Sequence, residues 1–219
     1  MRTRAAGVAL AALLAGCSGR APLPSTVEPA VATAAVETTA PDRPLHALFE
    51  WRIQDGEARF SGRGSARIEP PYRARLDLFG PRGDGYLSAA LVDDEVRLPA
   101  GADDAPLPPP ALMWAVLGVV APPDDAVLVG TRETDEGSEL HYDVRDSRLR
   151  YVLRGGTLRA VYWDGGGRRM VVELSGSADA RLPREAVYRD WSGYTELRTN
   201  LERVDEAEPF SPEIWTPGA

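Results

Sequence analysis

From residue 45 to about residue 205, apolar and polar residues alternate along most of the chain, and few folds tolerate that pattern. Ala47, Phe49, Trp51 and Ile53 are interleaved with Leu48, Glu50, Arg52 and Gln54. Leu140, Tyr142 and Val144 are interleaved with Glu139, His141, Asp143 and Arg145, and Leu149, Tyr151 and Leu153 with Arg148, Arg150 and Arg154. Successive side chains of a strand point to opposite faces, so a period of two predicts sheets with one apolar and one charged face. That asymmetry belongs to antiparallel sheets, since parallel ones are covered on both sides. Asp55-Gly56, Gly155-Gly156 and Asp164-Gly165 supply turn signals between the runs, and Pro70-Pro71 ends another. Together they predict about ten or eleven strands in meander order.

One segment breaks the period. Ala111 to Val120 is apolar all round, preceded by three prolines and followed by Pro122-Pro123. Proline is tolerated at a helix start and stops a helix at its end, so this segment is predicted to be a short helix. A helix with no polar face must be covered, and the concave face of the sheet is the large apolar surface on offer. Leu112, Met113, Val116 and Leu117 are expected to lie across it, facing Leu76 and Tyr142. The fold class expected is mainly β with minor α: an unclosed antiparallel half-barrel with the helix across its hollow.

The first seventeen residues carry a different signal. Arg2 and Arg4 precede an apolar run from Gly7 to Leu14, and small residues lead to Cys17 in Leu14-Ala15-Gly16-Cys17. This is the layout of a secretory signal peptide over 1–16, and its ending resembles the lipobox of bacterial lipoproteins. The resemblance implies that Cys17 becomes the acylated mature N-terminus. The apolar run is shorter than the roughly 20 residues needed to span a bilayer, so the chain is expected to be anchored rather than inserted. Residues 17–43, with Pro22, Pro24, Pro29 and Pro41, are expected to form the lipidated cysteine and a flexible tether, in preference to the alternative of a short helix over Val27 to Thr39. Residues 44–205 then form the domain and 206–219 a tail, in which Phe210 and Trp215 are candidate anchors to a sheet edge.

Composition excludes several functions. The net charge is −8, which argues against nucleic acid, whose phosphates need a basic footprint. Cys17 is the only cysteine, so its acylation leaves no thiol for a disulfide, a nucleophile or a zinc site. His46 and His141 are the only histidines, and His141 falls on the charged face, where a solvated side chain is expected. No Gly-x-Ser-x-Gly motif accompanies them to support a catalytic triad. Asp93-Asp94-Glu95, Asp103-Asp104 and Asp124-Asp125 lack the spacing of a calcium loop and read as solvated turns. No catalytic residue, metal or cofactor is expected. The arginines at 73, 75, 148, 150, 154, 168 and 169 read as an outer face paired with acids.

The order of these elements resembles the LolA/LolB-like superfamily of bacterial envelope proteins that carry lipids and lipoproteins, and in particular its receptor-type outer-membrane lipoprotein. Four motifs carry the resemblance: Phe60-Ser61-Gly62-Arg63-Gly64; Arg73 to Leu78 followed by Gly80-Pro81-Arg82-Gly83; Leu107-Pro108 through Leu117-Gly118; and Tyr188-Arg189-Asp190-Trp191 after Leu182-Pro183. Trp114 is displaced by one position from its family counterpart. The loop that exposes a leucine implied in membrane insertion in the receptor carries Arg82 here. An arginine is costly in hydrocarbon, so this membrane-facing loop is expected to meet headgroup phosphates.

A helix of ten residues is about 15 Å long and cannot cover ten strands. The small inward residues Gly62, Gly64, Ala66, Ala74 and Ala160 are expected to leave volume, which a lipid tail would fill at roughly 0.8 kcal/mol per methylene. The cavity and lid are assigned to Trp51, Gly64, Leu76, Leu78, Leu112, Met113, Val116, Leu117, Tyr142 and Tyr151, with Gly64→Trp as the substitution expected to plug them. The function expected is a membrane-anchored lipoprotein that binds lipid or lipoprotein acyl chains, in transport to the outer membrane on its periplasmic side, with a periplasmic carrier protein as a further partner. The alternative is a structural or assembly-accessory envelope lipoprotein whose core is filled by its own side chains.

Overall fold

The computed structural model describes residues 23–24, 26–102, 107–176 and 182–217. Cys17 and Asp103-Asp104 therefore lie outside the described residues. Among the described residues there are twelve strands: β1 (Leu45–Asp55), β2 (Ala58–Glu69), β3 (Arg73–Phe79), β4 (Gly85–Val92), β5 (Glu95–Arg97), β6 (Val127–Thr134), β7 (Gly137–Val144), β8 (Ser147–Arg154), β9 (Thr157–Gly165), β10 (Arg168–Ser175), β11 (Glu185–Asp190) and β12 (Thr195–Glu206). All pair antiparallel in one open sheet, ordered β5-β4-β3-β2-β1-β12-β11-β10-β9-β8-β7-β6. The mainly β, unclosed half-barrel is the architecture observed. The single meander is corrected: two meanders, β1–β5 and β6–β12, are joined where β12 returns to pair with β1. Hairpin signals are local, whereas the β1–β12 pairing closes a loop of more than a hundred residues and leaves no local mark.

The two-residue period sets the faces as expected. Phe49, Trp51, Leu78, Leu140, Tyr142, Leu149, Tyr151, Leu158 and Met170 are buried, whereas Arg52 is exposed and Arg75, Arg148 and Arg150 half-exposed; Leu76, on the concave side, is itself half-buried. The outer arginines pair with acids across neighbouring strands, as in Arg148–Asp143, Arg189–Glu196 and Arg198–Glu185. Such exposed pairs each contribute about 0–1 kcal/mol and mainly keep this face wet.

Two helices cover the concave side. α2 (Pro110–Val116) is shorter than the expected Ala111–Val120. Gly118 takes φ +81 and the chain reverses there: its N–H bonds the Ala115 carbonyl at 2.8 Å and the Val119 N–H bonds that of Trp114 at 3.0 Å. This is a Schellman cap, for which glycine is the favoured residue. α1 (Pro29–Thr39) corrects the expectation of a flexible tether over this stretch. Ala32, Ala35 and Thr39 are buried, at the i, i+3, i+7 spacing of one helix face. The Thr39 hydroxyl donates to the Ala35 carbonyl and accepts the Val120 N–H, both at 2.9 Å, tying α1 to the segment after α2. Upstream, Thr26 bridges Thr131 on the β6 edge and the Glu28 N–H bonds the Thr131 hydroxyl at 2.9 Å.

The tail folds over the outer side of β3 and β4 next to the β5 edge, where the Trp215 carbonyl accepts from Arg97 at 3.5 Å. A 3₁₀ turn at Pro212–Trp215 places Trp215 in a buried position, edge-on to Phe210 at 6.1 Å and under the Arg73 guanidinium at 5.9 Å. Beneath it Asp77 is buried, with Arg67 at 2.7 Å, Arg75 at 3.0 Å and the Ser88 hydroxyl at 2.6 Å. Burial alone would raise the Asp77 pKa, but the hydrogen bonds from Ser88 and Arg75 and the two positive charges outweigh it and hold it below the ordinary 3.8. A depressed carboxylate stabilises the fold above its unfolded pKa, and that contribution is lost as pH falls through the folded value. Asp77→Asn is therefore expected to destabilise the protein at neutral pH. In urea titrations its deficit against the parent should shrink below about pH 4; a deficit that is the same at every pH would contradict this.

Candidate apolar cavity

The α2 helix divides the hollow in two. Consecutive helical residues are turned by about 100° from one another, so Leu112 and Met113 face different halves. Leu112 and Ala115 pack with α1 and with Tyr142, Tyr151, Leu149 and Leu158 on the β7–β10 side. Met113, Trp114 and Val119 pack with β1–β4. The first half is filled by the chain's own side chains. The second is not.

A cavity of about 80 Å³ lies between α2 and the concave face of β1–β4, β11 and β12. A single water needs about 10–15 Å³ of such space. Trp51, Ile53, Leu76, Leu78 and Leu87 form its floor on the first meander, and Leu197, Thr199 and Leu201 on β12. Met113, Val116 and Leu117 form its roof, and Leu107-Pro108 and Leu182-Pro183 close its sides. No charged side chain is among these lining residues. Tyr188, at one wall, is neutral at any physiological pH, because burial and the nearby Asp190 charge push its pKa up to about 12. Trp51 turns its N–H away from the hollow, to the carbonyls of Arg63 at 3.0 Å and Phe79 at 3.2 Å. A space with carbon walls and neutral hydroxyls can solvate a hydrocarbon chain and penalises a charge.

Six of the ten residues assigned to the cavity line it: Trp51, Leu76, Leu78, Met113, Val116 and Leu117. Leu112, Tyr142 and Tyr151 belong instead to the filled half, where α1 packs with them in one cluster. Gly64 is also misplaced. A Cβ there would sit 2.5 Å from the Phe49 ring and 3.0 Å from Leu78, so the aromatic ring of the paired strand already occupies that volume. At Gly62 a Cβ would meet the Phe79 carbonyl oxygen at 1.8 Å. Both glycines mark close approach rather than vacant space. Gly64→Trp would overpack the core, not plug the cavity. The β12 and Leu182-Pro183 contributions escaped sequence analysis, since they depend on the return of β12 to β1.

The remaining candidates have plain positions. Arg82 is exposed in the β3–β4 loop, which is closed by hydrogen bonds between Gly80 and Asp84 at 2.8 Å and between Gly83 and Gly80 at 2.9 Å. The loop is at the same end of the sheet as the β1–β2 and β11–β12 turns, and exposed Phe60, Phe79, Tyr86, Trp191 and Tyr194 gather at that end. His141 is a correction: it is buried on the outer face, with Glu139 at 3.3 Å, rather than solvated. Burial lowers its pKa, and the hydrogen bond and charge of Glu139 only partly offset this. Among the described residues no group of three His, Cys, Asp or Glu side chains converges as a metal site would require, and no helix is long and apolar enough to cross a membrane.

No protein-family model matches the chain, and no curated protein matches it in sequence. Solved structures do. A LolA superfamily protein from Nitrosomonas europaea superposes with a TM-score of 0.57 at 11% identity, over 88% of this chain and 98% of the other. A DUF1329 family protein from Desulfovibrio piger superposes with a TM-score of 0.51 at 10% identity, over 86% of this chain and 97% of the other. The chain thus shares the fold of these two structures.

Proposed function

We propose that this LolA-like fold serves as a non-catalytic, membrane-anchored binding protein that holds an acyl chain of a lipid or lipoprotein between α2 and the β1–β4 half of the sheet. The observation that carries the proposal is the unfilled apolar cavity of about 80 Å³, beside an equally apolar half that the chain fills itself. Each methylene moved from water into it contributes roughly 0.8 kcal/mol. Acylated Cys17 would anchor the protein in the cell envelope, at the outer membrane on its periplasmic side. The chain between Cys17 and Thr26, where pairing with β6 begins, can span at most about 30 Å. The β6 edge would therefore stay close to the bilayer. The Arg82 loop, flanked by exposed Phe79 and Tyr86, suits contact with headgroups, where aromatic rings and arginines are both at home. A periplasmic carrier would deliver the acylated cargo.

The test is direct. Protein beginning at Ser18, purified without detergent, is expected to release acyl lipids on solvent extraction and mass spectrometry, and to bind a fluorescent fatty acid. Thr199 lines the cavity and is half-buried. Thr199→Trp should abolish probe binding while changing the thermal midpoint little. Absence of both lipid and probe binding in the parent would favour the accessory lipoprotein with a self-filled core.

A further inference from the structure

A second, smaller hollow of about 20 Å³ lies beyond the roof of the first, under the link between α1 and β1. It is bounded by Thr39, Pro41, Asp42, Leu45, Ile68 and Val119. Leu117 and Leu182 line both hollows and so form the wall between them. Leu117 is the residue that caps α2, and Leu182 stands just before β11. Both are unbranched at Cβ and can change rotamer.

The polar groups at the second hollow are already engaged. The Thr39 hydroxyl is shared between the Ala35 carbonyl and the Val120 N–H, and Asp42 pairs with Arg43 at 3.2 Å. What the hollow has left to present is carbon, from Leu45, Ile68, Leu117, Val119 and Leu182, while the Asp42 charge would repel an anionic headgroup.

Building on the acyl-binding role proposed above, we infer that the small hollow is the blind end of the same site, and that Leu117 and Leu182 set the longest chain it accepts. An anionic amphiphile then enters tail first, with its terminal carbons against the two leucines and its headgroup at the opposite, open side. Affinity should rise about fourfold with each methylene buried, until the tail reaches the leucine wall, and then level off.

A series of straight-chain fatty acids of increasing length, displacing a fluorescent polyene fatty acid from the full chain, measures this. Leu182→Ala joins the two hollows and is expected to carry the fourfold rise on to longer chains. Leu117→Ala should do the same, which guards against one variant failing to fold; circular dichroism checks each. Leu182→Phe should move the plateau to shorter chains. If the parent binds fatty acids but all three folded variants keep its length profile, the inference is overturned and the acyl site stands. If the parent binds none at any length, both fall.

Discussion

Replacing Trp114 by alanine is expected to lower stability by about 3–5 kcal/mol, the largest loss from any single side chain of α2. Trp114 is 1% exposed. Its N–H donates to the Asp93 carbonyl at 2.7 Å, and its ring meets Tyr72 edge-on at 5.6 Å. It therefore pins α2 to the β4–β5 turn, and its removal leaves both a void and an unpaired carbonyl. For a chain of this size the loss corresponds to a fall in thermal midpoint of about 10 °C. Trp114→Phe keeps most of the packing and loses only the hydrogen bond, so it should cost about 1–2 kcal/mol. Calorimetry of the two variants checks the ordering. Equal midpoints for alanine and parent would show that α2 is held by other contacts, and that its placement over the cavity does not depend on this tryptophan.

The second large effect concerns the anchor. Cys17→Ser is expected to move the protein from the membrane fraction to the soluble one, or to leave it unprocessed with residues 1–16 attached. The sulfur is the acylation site in the lipobox assignment, and stable anchoring takes more than one chain at roughly 0.8 kcal/mol per methylene. Fractionation and mass spectrometry of the mature N-terminus decide it. A serine variant that is cleaved normally and stays on the membrane would refute the lipobox. Because Thr26 is already paired to β6, the protein that Cys17→Ser releases should be an intact domain.

Much of the fold could be read from residues alone, and the reason is local. The alternation from Phe49 to Ile53, or from Leu140 to Val144, states which face each side chain takes without reference to the rest of the chain. The proline clusters around Leu112–Leu117 and the Asp55-Gly56 turn act over four or five residues. Trp51, Leu76, Leu78, Met113, Val116 and Leu117 could be assigned to the hollow on these terms, and all six line it. The α1 helix could be read only as the lesser alternative to a tether. Its Ala-, Val- and Thr-rich sequence has no side-chain cap and little amphipathic contrast, and the segment is helical because Ala32, Ala35 and Thr39 find a surface to bury against.

Periodicity thus determined the strands, the apolar face and the presence of a covered helix, since each follows from the stereochemistry of neighbouring residues. Which parts of that face are filled and which stay open was decided only in three dimensions. The Phe49 ring takes the space above Gly64, α1 packs into the half that holds Tyr142 and Tyr151, and β12 brings Thr199 and Leu201 beside Trp51. A cavity is a difference between the volume enclosed by distant elements and the volume of the side chains they bring, and no local pattern encodes that difference.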